Sequence, residues 1–258
     1  MQCHIDHGLK PVESGIKGRV IFRGEFPTTT DQVRIAVARN FPPSQINQLL
    51  FSDPIDFRAD TAQYELFVPQ GTYEVVGVMW KEHNQSWNIS DLIGVYGGLY
   101  IDDVYVPAYN PVSLPSSHSY PDSIDILADF SRVNRDAKIQ GTVIFEGDWP
   151  SNSGLVAVAA FTAIPEVGNF TDYYFKSIYI DYSIQPYASQ GPFQLRVSSQ
   201  IPIPYIAVLW IDDEFNLGSA LDVGFYEDPE HPGEPGSMTL SPNSIVTGIQ
   251  ITVRFDGP

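Results

Sequence analysis

Two stretches of the sequence are nearly the same: Gly15–Pro27 reads GIKGRVIFRGEFP, and Lys138–Pro150 reads KIQGTVIFEGDWP. Further features recur in the same order after each stretch. They are the apolar runs ending in Trp80 and Trp210, then Gly94–Tyr96 and Gly224–Tyr226, and finally the alternating segments Ile124–Phe130 and Ile249–Phe255. The repeat distance is about 125 residues, which is the size of a domain and far above a solenoid period. The sequence therefore predicts two related modules.

The segments between these features are typical of β-strands. Val33, Ile35 and Val37 alternate with other residues, which is the pattern of a half-buried strand. Further predicted strands are Tyr64–Val68, Thr72–Trp80, Leu155–Phe161, Tyr173–Ile180, Phe193–Val197, Ile203–Trp210 and Val246–Phe255. Only Pro43–Leu50 suggests a short helix. About seven short strands per module, separated by 21 prolines and 20 glycines, predict an all-β chain of two tandem antiparallel β-sandwiches.

The predicted domain boundaries follow from the repeat. Residues 1–14 form an N-terminal tether, residues 15–131 the first sandwich and residues 136–258 the second sandwich. The linker Ser131–Asp136 is short, so we expect the two sandwiches to touch or to hold a limited range of angles.

The net charge of the chain limits the classes of partner that it can bind. The net charge is −17, from 31 acidic and 14 basic residues, and the basic residues are not clustered. Such a surface repels phosphate backbones and anionic lipid headgroups, so we expect no nucleic-acid partner. No run of about 18 apolar residues is present, so the sequence predicts no membrane-spanning helix.

The only cysteine, Cys3, lies at the head of the predicted tether. A cysteine in this position looks like the lipid-acceptor residue of a mature bacterial lipoprotein, with Met1 as an expression start after removal of a signal peptide. The alternative is an incidental terminal thiol. The first interpretation predicts that the chain meets a membrane only through an N-terminal lipid.

One local string resembles a known family. Tyr64–Val76 is similar to the hairpin of transthyretin-like, or carboxypeptidase-regulatory-like, β-sandwich domains. In that hairpin Pro69 presets a tight turn, Gly71 accepts a positive φ and Tyr73 packs at the corner. Ile16–Val20 and Ile139–Val143 resemble the opening strand of the same family. The second module departs from the pattern at its hairpin, Ser199–Tyr205, which has no glycine.

Cys3–Leu9 followed by such modules also looks like lipoproteins of Bacteroidetes-related bacteria. The resemblance implies two tandem transthyretin-like sandwiches and a bacterial cell envelope location, as an outer-membrane lipoprotein facing the periplasm or the exterior. It implies no particular activity, because this fold serves adhesion, docking and spacer roles.

The sequence offers little catalytic or metal-binding chemistry. Its histidines are scattered, and no hydrolase, P-loop or dinucleotide motif occurs, so we expect no enzyme and no cofactor. Five acidic residues are candidates for a structural Ca²⁺ site: Asp102, Asp103, Asp212, Asp213 and Glu214. Solvated loop charge explains them better in so acidic a chain. A further alternative is a hydrolase with an unrecognised site at a sandwich rim.

Exposed aromatic rings are the remaining candidates for ligand contact, since sugar faces stack on them. The first candidate is Trp87, which lies in a polar loop. The other candidates are Tyr100, Tyr105 and Tyr174. The predicted function is a non-catalytic, lipid-anchored envelope protein that binds a glycan or protein partner or acts as a spacer. The main alternative is a pilus or fibre component assembled by strand exchange at an open sheet edge.

Overall fold

The computed structural model of the chain describes residues 14–41, 43, 48–101, 104–106, 108–121, 123–214 and 220–255. The strands of the first half are β1 (Gly15–Arg23), β2 (Thr30–Ala38), β3 (Leu50–Phe51), β4 (Thr61–Phe67), β5 (Gly71–Tyr73), β6 (Val75–Glu82), β7 (Leu92–Val95), β8 (Leu99–Ile101), β9 (Val104–Val106), β10 (Val112–Leu114) and β11 (Ile126–Asp129). The second half contains β12 (Ala137–Gly147), β13 (Ser153–Phe161), α1 (Phe170–Lys176), β14 (Ser177–Asp181), β15 (Gln190–Val197), β16 (Tyr205–Asp212), β17 (Leu221–Phe225), β18 (Glu227–Asp228), β19 (His231–Pro235) and β20 (Ile245–Phe255).

The same strand order occurs twice. In the first half a three-stranded sheet, β11-β1-β4, faces a four-stranded sheet, β3-β2-β6-β7. In the second half the corresponding sheets are β15-β12-β20 and β14-β13-β16-β17. In each half the first strand pairs antiparallel with one neighbour and parallel with the last strand of its sandwich. The all-β prediction of two tandem β-sandwiches is confirmed, and we call them the first and second modules.

Each module has its own core, built from the inward side chains of alternating strands. The side chains of β4 alternate strictly between exposed and buried, as expected for a strand with one face on a core. The tryptophans that repeat in the sequence occupy matching core positions. The indole of Trp80 donates to the Thr30 hydroxyl at 2.9 Å, and that of Trp210 donates to the Ser153 hydroxyl at 2.8 Å.

The repeated glycine of the opening strand marks a close approach of backbones. A Cβ atom added at Gly18 would lie 2.1 Å from the carbonyl oxygen of Ile124. One added at Gly141 would lie 2.3 Å from the carbonyl oxygen of Ile249. Only glycine fits where the last strand of the sandwich approaches the first, which explains why this residue recurs in both copies.

The first-module hairpin has the geometry expected from its sequence. Gly71 has a φ of +144°, and the buried Tyr73 donates its hydroxyl hydrogen to the carbonyl oxygen of Pro69 at 2.7 Å. The predicted single strand Thr72–Trp80 is two strands, because this corner separates β5 from β6.

The prediction of one strand over Tyr173–Ile180 is wrong in its first half. Residues 170–176 form α1, and β14 begins at Ser177. The side chain of Asn169 caps the helix by accepting from the backbone N–H of Asp172 at 3.2 Å. An ion pair of 2.6 Å between Lys176 and Asp172, four residues apart, supports the last turn. Residues 44–47 of the predicted short helix Pro43–Leu50 lie outside the described residues.

Candidate binding groove at the module junction

The linker between the modules is a fixed part of the structure. Phe130–Val133 forms a turn of 3₁₀ helix, and Phe130 and Val133 are buried in the first core. Arg132 lies on the same turn and donates to the carbonyl oxygen of Phe175 in the second module at 2.9 Å. The chain therefore enters the second module in a defined direction.

Arg135 is buried between the modules. Its guanidinium donates to Asp91 of the first module at 2.7 Å, and the two side chains are 5% and 2% exposed. It also lies against two rings, 5.0 Å from the centre of Trp80 in the first module and 4.7 Å from that of Tyr179 in the second. Burial raises the pKa of Asp91, and the charge of Arg135 opposes that rise.

The carboxylate of Asp91 is also oriented by contacts within its own loop. It ends the 3₁₀ turn Ile89–Asp91, and its carboxylate accepts from the backbone N–H of Asn88 at 2.6 Å. The Asn88 side chain in turn donates to the carbonyl oxygen of Ile180, across the junction, at 2.9 Å. The sequence Asn88-Ile89-Ser90-Asp91 thus acts as a capping box that orients the acid and contacts both modules.

Apolar packing accompanies these polar contacts. Helix α1 places Tyr174 and Phe175 against Phe41 of the first module, with ring centres 5.0 and 5.3 Å apart. Both rings belong to a buried cluster with Ala36 and Met79 of the first module. The junction therefore combines an apolar contact with a buried ion pair.

An open groove of about 810 Å³ lies beside this contact. We call it the junction groove. The first module contributes Glu82, from the end of β6, and Gln85, from the turn that follows. The second module contributes the outward side chains of β12, β14 and β15, among them Lys138, Gln140, Tyr179, Asp181, Gln194 and Arg196. An ion pair between Arg196 and Glu82 joins the two sides of the groove.

The polar groups of the junction groove are positioned by hydrogen bonds among themselves. Gln140 donates from its side-chain amide to the side-chain oxygen of Gln194 at 2.8 Å, across the β12–β15 pair. Asp181 accepts from the backbone N–H groups of Gln194 at 2.6 Å and Ser183 at 2.9 Å. These contacts fix the side chains before any ligand arrives.

A smaller cleft of about 210 Å³ continues the junction groove. It shares Gln85, Tyr179 and Asp181 with the groove and adds Trp87 and Tyr182 to the lining. Trp87, the first aromatic candidate, is half-buried and stacks on Phe51 at a ring distance of 5.0 Å. The structure thus places Trp87 at the junction, with one side packed and the rest bordering the cleft.

The first module has a groove of about 640 Å³ at the matching position. It lies on the outer face of β1 and β4 and is lined by the neighbours of Gly18 and Tyr64, which pair across these strands. In the second module the corresponding pair is Gly141 and Phe193, beneath the junction groove. Each module thus has a groove beside its repeated glycine, and of these two grooves only the second is lined by both modules.

The other predicted aromatic contacts have structural roles. Tyr174 is 5% exposed and packs on Phe41, so the prediction that it contacts a ligand is contradicted by its burial. The hydroxyl of Tyr100 donates to Asp129 at 2.6 Å. The hydroxyl oxygen of Tyr105 accepts from the backbone N–H of Val95 at 2.9 Å. These bonds tie β8 and β9 to the sheets of the first module.

The remaining predicted sites are not assembled in the described part of the chain. Cys3, Asp102 and Asp103 lie outside the described residues, as does all of the predicted tether except Ser14, which is buried. Asp212, Asp213 and Glu214 follow one another at the end of β16. Among the described residues no three His, Cys, Asp or Glu side chains come close enough to hold a metal ion. No helix within the described ranges is long and apolar enough to cross a membrane.

The polar residues of the junction were not found from the sequence. Gln140 and Gln194 occupy outward positions of neighbouring strands, and this pairing could have been inferred from the strand register. Arg135 stands in a linker and Asp91 in a loop, where a charged residue is normally solvated. Neither carries a signal in the sequence that would predict burial.

The chain matches no protein-family model and no curated protein. Among solved structures, a leucine-rich repeat protein from Bacteroides thetaiotaomicron aligns with 93% of this chain at 8% identity and a TM-score of 0.36. The chain spans only 26% of that protein's length. A protein from Bacteroides fragilis provisionally described as a cell adhesion protein aligns with 96% of this chain and 94% of its own, at 12% identity and a TM-score of 0.29. The minor pilin GBS52 of Streptococcus agalactiae aligns over 95% and 98% of the two chains, at 8% identity and a TM-score of 0.25.

Proposed function

We propose that the chain is a non-catalytic protein of the bacterial cell envelope, held to a membrane by a lipid on Cys3. Its two modules act as one rigid unit that presents the junction groove to a glycan or protein partner. The observation that carries this proposal is the buried pair of Arg135 and Asp91, enclosed by Trp80 and Tyr179. A spacer with freely moving modules would keep such charges in water, because their burial is costly.

Rigidity supports binding for a physical reason. A groove whose walls come from two modules keeps its shape only while the modules stay docked, and a preformed site loses less entropy when a partner binds. The described polar side chains of the groove are already oriented by internal hydrogen bonds. The junction therefore does more than separate two ends of the chain.

The fibre alternative has no comparable support. Strand exchange needs an open position beside an edge strand. The first strand of each module is hydrogen-bonded on both sides, β1 to β4 and β11, and β12 to β15 and β20. A donated strand would therefore have to add beside an outer strand of a sheet, such as β4, β11, β15 or β20.

The rigid-unit proposal is tested by measuring a distance across the junction. In a Cys3→Ser background, spin labels at the exposed positions Ser117 and Glu234 report one distance from each module. We expect double electron–electron resonance to give a single narrow distance distribution. Arg135→Ala should broaden it, because the buried contact between the modules is lost.

Arg254→Ala is the matched control. It removes an arginine from an exposed ion pair with Glu146 inside the second module, so the distance distribution should stay narrow. A distribution as broad in the parent protein as in Arg135→Ala would overturn the proposal of a rigid unit.

The proposed anchor has its own test. The full gene with its natural upstream sequence is expressed in a bacterium fed an alkyne-labelled fatty acid. We expect the label on the parent protein and none after Cys3→Ser. Equal labelling of both, or of neither, would contradict the anchor while leaving the rigid unit untouched.

A further inference from the structure

We infer that the junction groove binds an uncharged oligosaccharide, a ligand class that rests on the proposed function and makes it specific. The groove of about 810 Å³ has room for several sugar rings, and its open shape lets a chain pass through. The inference comes from three properties of the groove: its unused hydrogen-bonding groups, its balance of charge and the rings at its end.

The groove holds both donors and acceptors that have no partner within the described residues. After Gln140 donates to Gln194, the side-chain oxygen of Gln140 and both N–H groups of the Gln194 amide remain available. The ammonium group of Lys138 adds a donor, and the hydroxyl of Tyr179 adds a group that can both donate and accept. Sugar hydroxyls donate and accept at once, so they match a surface on which both kinds of group alternate.

The formal charges of the groove cancel. Glu82 and Asp181 carry negative charge, and Lys138 and Arg196 carry positive charge. Glu82 is paired with Arg196 across the groove, and the carboxylate of Asp181 accepts two backbone N–H groups. In a chain of net charge −17 this is a neutral site, which favours neither an anion nor a cation. The ammonium group of Lys138, which has no ion-pair partner among the described residues, can donate hydrogen bonds to the hydroxyls of an uncharged ligand.

Apolar surface for the faces of sugar rings lies at the end of the groove. Trp87 and Tyr182 line the adjoining cleft, which shares Gln85 and Tyr179 with the groove. Tyr182 is 38% exposed, and Trp87 is held by its stack on Phe51. Ring faces beside amide groups are the combination that uncharged sugars require, since their C–H faces are apolar and their edges are polar.

The experiment is a titration of the full chain, labelled with ¹⁵N, against a fixed panel of hexasaccharides. The neutral members are maltohexaose, cellohexaose, xylohexaose, laminarihexaose and mannohexaose, and hexagalacturonate is the acidic member. We expect at least one neutral sugar to shift the side-chain amide resonances of Gln140 and Gln194. The double change Gln140→Ala and Gln194→Ala should weaken its binding at least tenfold. Hexagalacturonate should leave both resonances unchanged.

Gln63→Ala is the control variant, because it removes an exposed amide from the matching strand of the first module and should leave the affinity unchanged. The inference is overturned if no neutral sugar of the panel shifts the two glutamines, or if only the acidic one does. It also fails if binding survives the double change at full strength. The spin-label distance, measured on the labelled variant described above, separates the two proposals: a narrow distribution without sugar binding refutes the ligand and keeps the rigid unit.

Discussion

At the scale of single residues, Arg135 determines how the two modules meet. Its guanidinium touches an acid and a ring in the first module and a second ring in the other. Its Nε and the Oε2 atom of the nearby Glu82 are buried without a hydrogen-bond partner among the described residues. The pair therefore contributes orientation at some cost in stability, which is the usual balance for a buried ion pair.

Removal of Arg135 should destabilise the protein, because the buried carboxylate of Asp91 then has no charged partner. We expect Arg135→Ala to lower the free energy of unfolding by about 3–5 kcal/mol, measured by urea denaturation. Arg135→Lys should recover only part of this loss, because an ammonium group cannot form the planar contacts with Trp80 and Tyr179. Arg254→Ala, which breaks an exposed pair, should change the free energy by less than about 1 kcal/mol. Equal losses for both alanine variants would contradict the assignment.

Asp222 is a second residue whose charge opposes folding. It accepts from the hydroxyl of Tyr205 at 2.5 Å, and burial raises its pKa despite this bond. Its Oδ1 atom and the hydroxyl of Tyr173 are buried without partners among the described residues. The pKa of Tyr173 is raised to about 12, chiefly by burial and then by the charge of Asp222. A neutral amide in place of this carboxylate should suit the site better.

The pH dependence of Asp222→Asn follows from linkage. A carboxyl with a higher pKa in the folded chain binds more protons when folded, so its contribution to stability falls as the pH rises above about 4. We expect Asp222→Asn to be more stable than the parent protein at pH 8, and this advantage to shrink as the pH is lowered toward 4. Urea denaturation at several pH values measures it, with the exposed Asp148→Asn as control. An advantage that does not vary with pH would contradict the prediction.

At the scale of elements, the repeated glycines fix how the last strand of each module passes the first. A methyl group at Gly18 or Gly141 would collide with backbone, which cannot move aside without shifting a strand. We expect Gly18→Ala and Gly141→Ala each to cost about 1–3 kcal/mol, measured by urea denaturation. Gly191→Ala is the control, because its added methyl would meet only the Ile184 side chain at 3.2 Å. A cost for Gly191→Ala as large as for the other two would contradict this explanation.

The elements also show what the sequence could and could not predict. A strand with one buried face shows alternating apolar and polar residues in the sequence. The sequence could therefore predict the two sandwiches, the corner at Tyr73 and the core positions of Trp80 and Trp210. Helix α1 was misread because its aromatic residues 173–175 have high strand propensity, while the cap at Asn169 that starts the helix is a single contact. The junction groove depends on docking between modules, and no local pattern encodes that.

At the scale of the whole molecule, the duplication has become asymmetric. Both modules leave a groove over the repeated glycine, yet only the groove over Gly141 is walled by residues of the other module. The direction of the linker produces this difference, because it brings Glu82 at the end of β6 onto the outer face of β12 and β15. Duplication supplied two equivalent surfaces, and docking made one of them distinct.

Docking should also make the two modules unfold together. Each has a separate core, so without the junction they would melt independently, as domains of this size usually can. The buried contacts of Arg135 and Phe175 couple them, because unfolding either module exposes a charge and an apolar surface on the other.

We expect one calorimetric transition for the parent protein, with a van't Hoff enthalpy close to the calorimetric enthalpy. The double change Arg135→Ala and Phe175→Ala should split it into two transitions, whereas Arg254→Ala should not. Two resolved transitions in the parent protein would mean that the junction is too weak to make the modules one cooperative unit.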